Sequence, residues 1–242
     1  MNAIETTSLS KQYRNITALD QLDLTVFDGE LFALLGVNGA GKTTAIKLLS
    51  CLMAPTSGSA KIYGYDILTQ SHQARSLLAT SPQETAVAPN LTTRENLELM
   101  AGIYGNSVKE AKAKATEIIS RFNLTSIENT RAKKLSGGWQ RRLSIAMALI
   151  SSPKLLFLDE PTLGLDVLAR RELWTIIRQL KGKTTIILTT HYLEEAEALS
   201  DRIGILACGR LKALGTAAEL MEISKTTSFE DAFITLAGGE TQ

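Results

Sequence analysis

The spacing of apolar and polar positions changes period along the chain. Leu22, Leu24 and Val26 alternate with Asp23 and Thr25, as in a strand with one face in water. Asp28-Gly29 turns the chain into the unbroken apolar run Leu31–Leu35, and Ala45 to Leu52 follows as a helical run. After the breaker APTSG, Ser59 to Tyr63 is a predicted strand. From Thr69 to Ile150 the pattern reads as helical. Within it Thr92 and Glu95 form a capping-box pattern ahead of Leu97, Leu99 and Met100. Val108 to Phe122, rich in Ala, Lys and Glu, predicts a mostly exposed helix. Strand–helix alternation then returns as KLLFLDE, a helix over Leu168 to Leu180, TTIILTT, and a helix after His191. Ile203–Leu206 and Arg210–Ala213 flank Cys208-Gly209 as a hairpin.

Short, continuous apolar runs alternating with helices predict an α/β fold whose parallel sheet is covered on both faces. An N-terminal antiparallel β portion precedes it, and the helical stretch at about 84–150 reads as an insert within one α/β pattern. Composition agrees with a folded domain, at 242 residues with 44% apolar and 21% charged positions. A formal net charge of +1 gives no general attraction for nucleic acid. No apolar run approaches the roughly 18–20 residues that span a bilayer, and MNAIETTSLSK lacks the apolar core of a signal peptide. The expected location is cytoplasmic, with any membrane role exerted through a partner. Cys51 and Cys208 stand apart and read as buried free thiols.

Chemistry is densest directly after Leu35. Residues Gly36, Val37, Asn38, Gly39, Ala40, Gly41, Lys42, Thr43 and Thr44 read GVNGAGKTT, the pattern G-x-x-x-x-G-K-[ST] between a strand run and a helical run. Glycines let the backbone turn several N–H groups inward, where a Cβ would obstruct them. The following helix presents its unpaired N–H groups to an anion. Lys42 reaches the β- and γ-phosphates as a point charge, and the Thr43 hydroxyl is the expected Mg²⁺ ligand. Chance produces this pattern in a chain of such length about 1% of the time, so the loop predicts binding of a nucleoside triphosphate.

A second anchor is LLFLDE, Leu155 to Glu160. Four apolar residues deliver two carboxylates to the end of a buried strand, where open parallel sheets bind ligands. Buried adjacent carboxylates are costly unless a cation or polar ligand meets them. Asp159 fits a Mg²⁺ ligand acting through water, and Glu160 a base for an attacking water. The third anchor is LSGGWQRR, Leu135 to Arg142. Ser136 suits a helix N-cap, and Gly137-Gly138 leave N–H groups uncovered for a phosphate. Arg131, Lys133, Lys134, Arg141 and Arg142 around it read either as a solvated face or as phosphate contacts.

With these anchors in order, the sequence resembles the ATP-binding subunits of ABC transporters over nearly its whole length. The resemblance implies a single cassette over 1–242. Its P-loop NTPase (RecA-like) core would cover about 1–83 and 151–225, a helical insert carrying the signature about 84–150, and a helical tail 226–242. It implies ATP and Mg²⁺ as cofactors. Tyr13 matches the residue that stacks on adenine, and Gln83 the glutamine that contacts Mg²⁺ and the attacking water. Leu135 to Trp139 match the signature, Gly164-Leu165-Asp166 the loop that communicates across a dimer, and His191 the histidine at the γ-phosphate. In the family, Ser136, Gly137 and Gly138 serve the ATP of a second copy, so two chains sandwich two ATPs head to tail. The implied further partner is an integral membrane permease, which would hold the protein on the inner face of the cell membrane. One position departs: the family most often has Gln where this chain has Trp139, which leaves the usual contact from that position open.

A nucleotide kinase or small GTPase shares the phosphate loop but leaves LSGGW unexplained. An importer cassette is the nearer alternative. The tail TTSFEDAFITLAGG resembles the S-[LF]-E-D-x-F ending of cassettes serving drug, antibiotic, polysaccharide or lipid exporters, which favours export. Physically, Ser228 and Asp231 make a capping-box-like start to a short helix whose Phe229, Phe233 and Leu236 share a face.

Overall fold

A computed structural model describes residues 1–238; positions 239–242 of the expected tail lie outside the described residues. In chain order the strands are β1 (Asn2–Tyr13), β2 (Ile16–Phe27), β3 (Leu31–Leu35), β4 (Ser57–Ile62), β5 (Tyr65–Asp66), β6 (Leu78–Ser81), β7 (Leu155–Asp159), β8 (Thr185–Thr190), β9 (Arg202–Ala207) and β10 (Arg210–Gly215). The helices are α1 (Lys42–Leu49), α2 (Ser71–Ser76), α3 (Thr93–Ile103), α4 (Val108–Arg121), α5 (Gly137–Ala148), α6 (Val167–Leu180), α7 (Leu193–Leu199), α8 (Ala217–Ser224) and α9 (Phe229–Leu236).

Two sheets form. The first is antiparallel, in the order β2-β1-β4-β5, and the second runs β10-β9-β3-β8-β7-β6. In the second sheet β6, β7, β8, β3 and β9 are parallel and β10 returns antiparallel to β9. Period-two geometry sorts the continuous apolar runs onto two faces. Leu156 and Leu158 of β7 pack with α3 to α6, whereas Leu155 and Phe157 pack with α1 and the antiparallel sheet. Ala33 and Leu35 meet a third cluster that includes Phe229, Phe233 and Leu236 of α9. The α9 N-terminus is capped by the Ser228 hydroxyl, which accepts from the Asp231 N–H at 3.1 Å. The capping box of Thr92 and Glu95 opens α3. No described helix is long and apolar enough to cross a membrane.

Three expectations need correction. The stretch from Thr69 to Ile150 is not wholly helical, because Leu78–Ser81 is a parallel edge strand on β7. It is short and alternates buried Ala79 and Ser81 with half-buried neighbours, so it carries no apolar run to announce it. The helix after the glycine loop starts at Lys42, with Gly41 at its N-cap, and Cys51 at φ +57° lies beyond its end; Leu52 is exposed. Neither thiol is buried: Cys51 is half-buried, and Cys208 is exposed in the β9–β10 turn at φ +49°.

Tyr63, just after β4, joins the two sheets. Its hydroxyl lies 2.7 Å from Asp28 Oδ1, 2.9 Å from Thr185 Oγ1 and 3.2 Å from the Lys154 carbonyl. Burial pushes this phenol up to about 12. Tyr63→Phe strips that junction of its phenolic hydroxyl while keeping the ring. Unfolding monitored by denaturant or heat should show a loss of about 1–3 kcal/mol.

Candidate functional site at the carboxyl ends of the parallel strands

The site forms where β3, β8 and β7 end. Leu35 pairs with Thr190, and Asp159 with Thr189, so the residues that follow emerge side by side. From β3 the chain enters the glycine loop. The Gly36 N–H donates to the Thr190 carbonyl at 3.2 Å, and a Cβ on Gly36 would lie 2.3 Å from the Leu206 carbonyl oxygen. Gly41 takes φ +108°, and a Cβ there would meet the Ala18 carbonyl oxygen at 2.4 Å. The β9–β10 turn backs the loop: the Gly209 N–H donates to the Ala40 carbonyl at 3.0 Å, and the Gly209 carbonyl accepts from Asp20 at 2.8 Å.

Lys42 is the hub. Its Nζ donates to the carbonyls of Gly36 (2.7 Å) and Val37 (3.2 Å) and lies 3.1 Å from Glu160 Oε1, with both side chains buried. The other carboxylate oxygen, Glu160 Oε2, lies 2.8 Å from His191 Nδ1. Asp159 Oδ1 accepts from Thr189 Oγ1 at 2.6 Å and from Thr43 Oγ1 at 3.4 Å. Glu160 itself sits in the left-handed region at φ +48°, unusual for a residue with a side chain, and such outliers concentrate at functional sites.

A cavity of about 430 Å³ opens over these groups. Asn38, Gly39, Ala40, Gly41, Lys42, Thr43, Thr44, Gln83, Glu160 and His191 line it, so most of the expected residues converge on one space. Ala18 and Leu163, which the motifs do not mark, line it as well. Tyr13 does not: it ends β1, is 40% exposed, and donates its hydroxyl to Met53 Sδ at 2.8 Å. Ser136, Gly137 and Gly138 also lie outside this cavity, at the start of α5. Ser136 occupies the N-cap position, but its hydroxyl makes no capping bond. A Cβ on Gly137 would meet no atom within 4 Å, so that glycine faces open space, whereas one on Gly138 would lie 3.1 Å from the Ala169 Cβ. Gly164 takes φ +75°, and Asp166 caps α6 by accepting from the Ala169 N–H at 2.9 Å.

The basic residues around the signature divide. Arg141 and Arg142 are buried and form no solvated face. Arg142 pairs with Glu172 at 2.5 Å and stacks on Trp139, 4.3 Å from the ring centre. Arg141 reaches the carbonyls of Asp159 and Pro161 instead of a phosphate position. Burial pushes its guanidinium down to about 10, and Asp159, Glu195 and Glu160 pull it back. Thr189, Arg141 and Glu195 are thus parts of the site that sequence reasoning missed. Thr189 carried a usable signal, since it stands near the end of β8, two residues before His191.

Magnesium suits the oxygen donors gathered at the loop. The Thr43 hydroxyl and the Asp159 carboxylate are hydrogen-bonded, and Gln83 lines the same cavity. A magnesium site of one carboxylate, one hydroxyl and ligand phosphates is common.

A glycine loop leading from a parallel strand into a helix, with Lys42 facing a strand-end carboxylate pair, defines the P-loop nucleoside triphosphatase class. Comparison with known proteins gives the family. Residues 19–163, more than half of the chain, match the ABC transporter family, and the chain belongs to it as an ATP-binding cassette. It is 42% identical over 219 residues to the daunorubicin/doxorubicin resistance ATP-binding protein DrrA of Streptomyces peucetius, covering 90% of this chain and 66% of that one. The chain thus spans about two thirds of that relative's length. The solved structure of an ATP binding subunit of an ABC transporter is 32% identical, with a TM-score of 0.85 over 97% of this chain and 99% of that one. The cassette MJ0796, in a dimeric post-hydrolysis state bound to ADP and Pi, is 26% identical, with a TM-score of 0.79 over 88% and 98%.

One further acid shapes this region. Glu195 of α7 is fully buried, and its Oε1 accepts from Trp174 Nε1 at 3.0 Å. Burial pushes its carboxyl up, against the opposing pull of the Trp174 hydrogen bond and the nearby Thr190 and Thr162 hydroxyls. The native state then holds the proton more tightly than the unfolded chain. Stability from this group is therefore full below the ordinary value of 4.5 and lost as pH rises through the raised one. Melting temperatures across a pH series should show Glu195→Gln gaining on the parent as pH climbs above 4.5. A gap that shrinks with rising pH contradicts this account.

Proposed function

We propose that the chain hydrolyses ATP as the energy-supplying cassette of a transporter, powering export through a separate membrane permease. The observation that carries this reading is the convergence of Lys42, Thr43, Gln83, Glu160 and His191 on one cavity beside the glycine loop. Likeness to DrrA, a daunorubicin/doxorubicin resistance ATP-binding protein, supports export.

Each residue then has a task that its surroundings allow. Lys42 and the loop N–H groups neutralise and orient the phosphates. Thr43, Asp159 and Gln83 would hold Mg²⁺, which would supply positive charge to neutralise the phosphate oxygens. Glu160 orients the attacking water and takes its proton, while His191 holds Glu160 Oε2 and reaches toward the γ-phosphate. Catalysis by such a site is mostly positioning plus electrostatic stabilisation. Tyr13 stacks on adenine at the outer edge.

Ser136, Gly137 and Gly138 serve the nucleotide of a second copy, and the dimeric state of MJ0796 supports this arrangement. ATP is then part of the contact, and its hydrolysis opens the dimer. In this reading positions 1–83 and 151–225 act as the nucleotide-binding core, 84–150 as a helical insert facing the permease at the membrane's inner face, and 226–242 as a closing tail.

Two substitutions separate the parts of this scheme. Glu160→Gln should lower turnover by about 10²–10⁴-fold yet accumulate an ATP-bound dimer on size exclusion; a fully active monomer contradicts the sandwich. Lys42→Ala should weaken ATP binding by about 10–100-fold in a titration, and unchanged affinity removes the loop from the site.

A further inference from the structure

Arg141 lies on α5, one helical turn beyond the signature glycines, and is 4% exposed. Its Nε donates to the Pro161 carbonyl at 2.8 Å and its Nη2 to the Asp159 carbonyl at 2.5 Å. From the opposite side of the fork, Nη1 donates to the Gln83 carbonyl at 3.1 Å and to the Pro82 carbonyl. One rigid, planar cation therefore binds two chain segments from the helix that carries the signature.

The two segments are those that handle water in the proposed reaction. Asp159 and Pro161 stand immediately before and after Glu160. Glu160 takes φ +48°, a conformation that disfavours any residue with a Cβ. Its own N–H is tied to the carbonyl and hydroxyl of Thr189, both at 3.1 Å. The left-handed turn is thus pinned by β8 on one side and by Arg141 on the other. The same guanidinium fixes the backbone of Gln83, a residue that lines the same cavity as Glu160.

We propose that Arg141 is a positioning residue that holds Glu160 in its left-handed turn and locks the Gln83 loop to it. Any tilt of α5, whose N-terminus presents the signature, is then transmitted to both water-handling groups of the chain's own site. The proposal rests on the hydrolysis reading above. A lysine cannot replace this clamp, because a compact ammonium lacks the fork needed to span four carbonyls in two segments.

The test compares Arg141→Lys and Arg141→Met with the parent in the full chain. It uses Mg²⁺-dependent ATP turnover, ATP titration, and hydrogen exchange at backbone amides. Both variants should lose about tenfold or more in kcat, as misplaced reacting groups do, with the Kd for ATP held within about threefold. Exchange at 82–88 and 159–163 should quicken while exchange at Gly36–Thr44 does not, a readout that needs no turnover. Arg141→Lys keeps the charge and the stem, so it decides the matter should the Met variant not fold. Arg141→Lys with kcat within about twofold of the parent, or with kcat and ATP affinity falling in proportion, overturns the proposal. Failure of the underlying reading looks different: the parent then neither binds nor turns over ATP, or Glu160→Gln is as active as the parent.

Discussion

The register of three parallel strands governs the rest of this molecule. With Leu35 opposite Thr190 and Asp159 opposite Thr189, β3, β8 and β7 end at one level. The loop, His191 and the acidic pair leave the sheet there within hydrogen-bonding reach of one another. A slip by one residue would reverse the facing of every side chain on the strand that moved. Leu156 and Leu158 would change places with Leu155 and Phe157 between two different apolar clusters. Burial on both faces therefore guards the register, and the register places the chemistry.

Charge follows from that placement. Lys42 and Glu160 are paired out of water, an arrangement whose desolvation cost rivals its attraction. The pair is better understood as preparation for a polyanionic ligand than as a source of stability. Behind it Arg141 faces Asp159, Glu160 and Glu195, while burial drives Glu195 toward its neutral form. Two cations, Lys42 and Arg141, are thus set against the strand-end pair Asp159 and Glu160. Balance of this kind lets a carboxylate lie beside phosphates without being pushed out into solvent.

The parts legible in the sequence were those whose chemistry is local. GVNGAGKTT, LLFLDE and the alternation of Leu22, Leu24 and Val26 each state their own geometry, and the structure brings the first two together at Lys42 and Glu160. Parts that depend on direction or on a distant neighbour were not legible. Arg141 and Arg142 are the same residue type in adjacent positions, yet one clamps backbone carbonyls and the other stacks on Trp139. The helical rotation between them decides this, and a basic run does not reveal it. β6 went unread because pairing with β7, not its own apolar content, makes it a strand. Cys208 was misjudged because residue type suggests burial, whereas its place in a tight turn exposes it.

That tight turn has a wider meaning for where this protein can be divided. The β9–β10 turn touches Ala40 through Gly209, and the Leu206 carbonyl fills the space beside Gly36. The loop that opens the second sheet is thus splinted by residues more than a hundred and sixty positions later in the chain. A fragment ending just past His191 would contain every motif of the nucleotide site and still lack the wall against which the glycine loop is moulded. The smallest portable form of this nucleotide site is consequently larger than the span of its motifs, and recombination or gene splitting between α7 and β9 should separate signature-bearing sequence from working cassette.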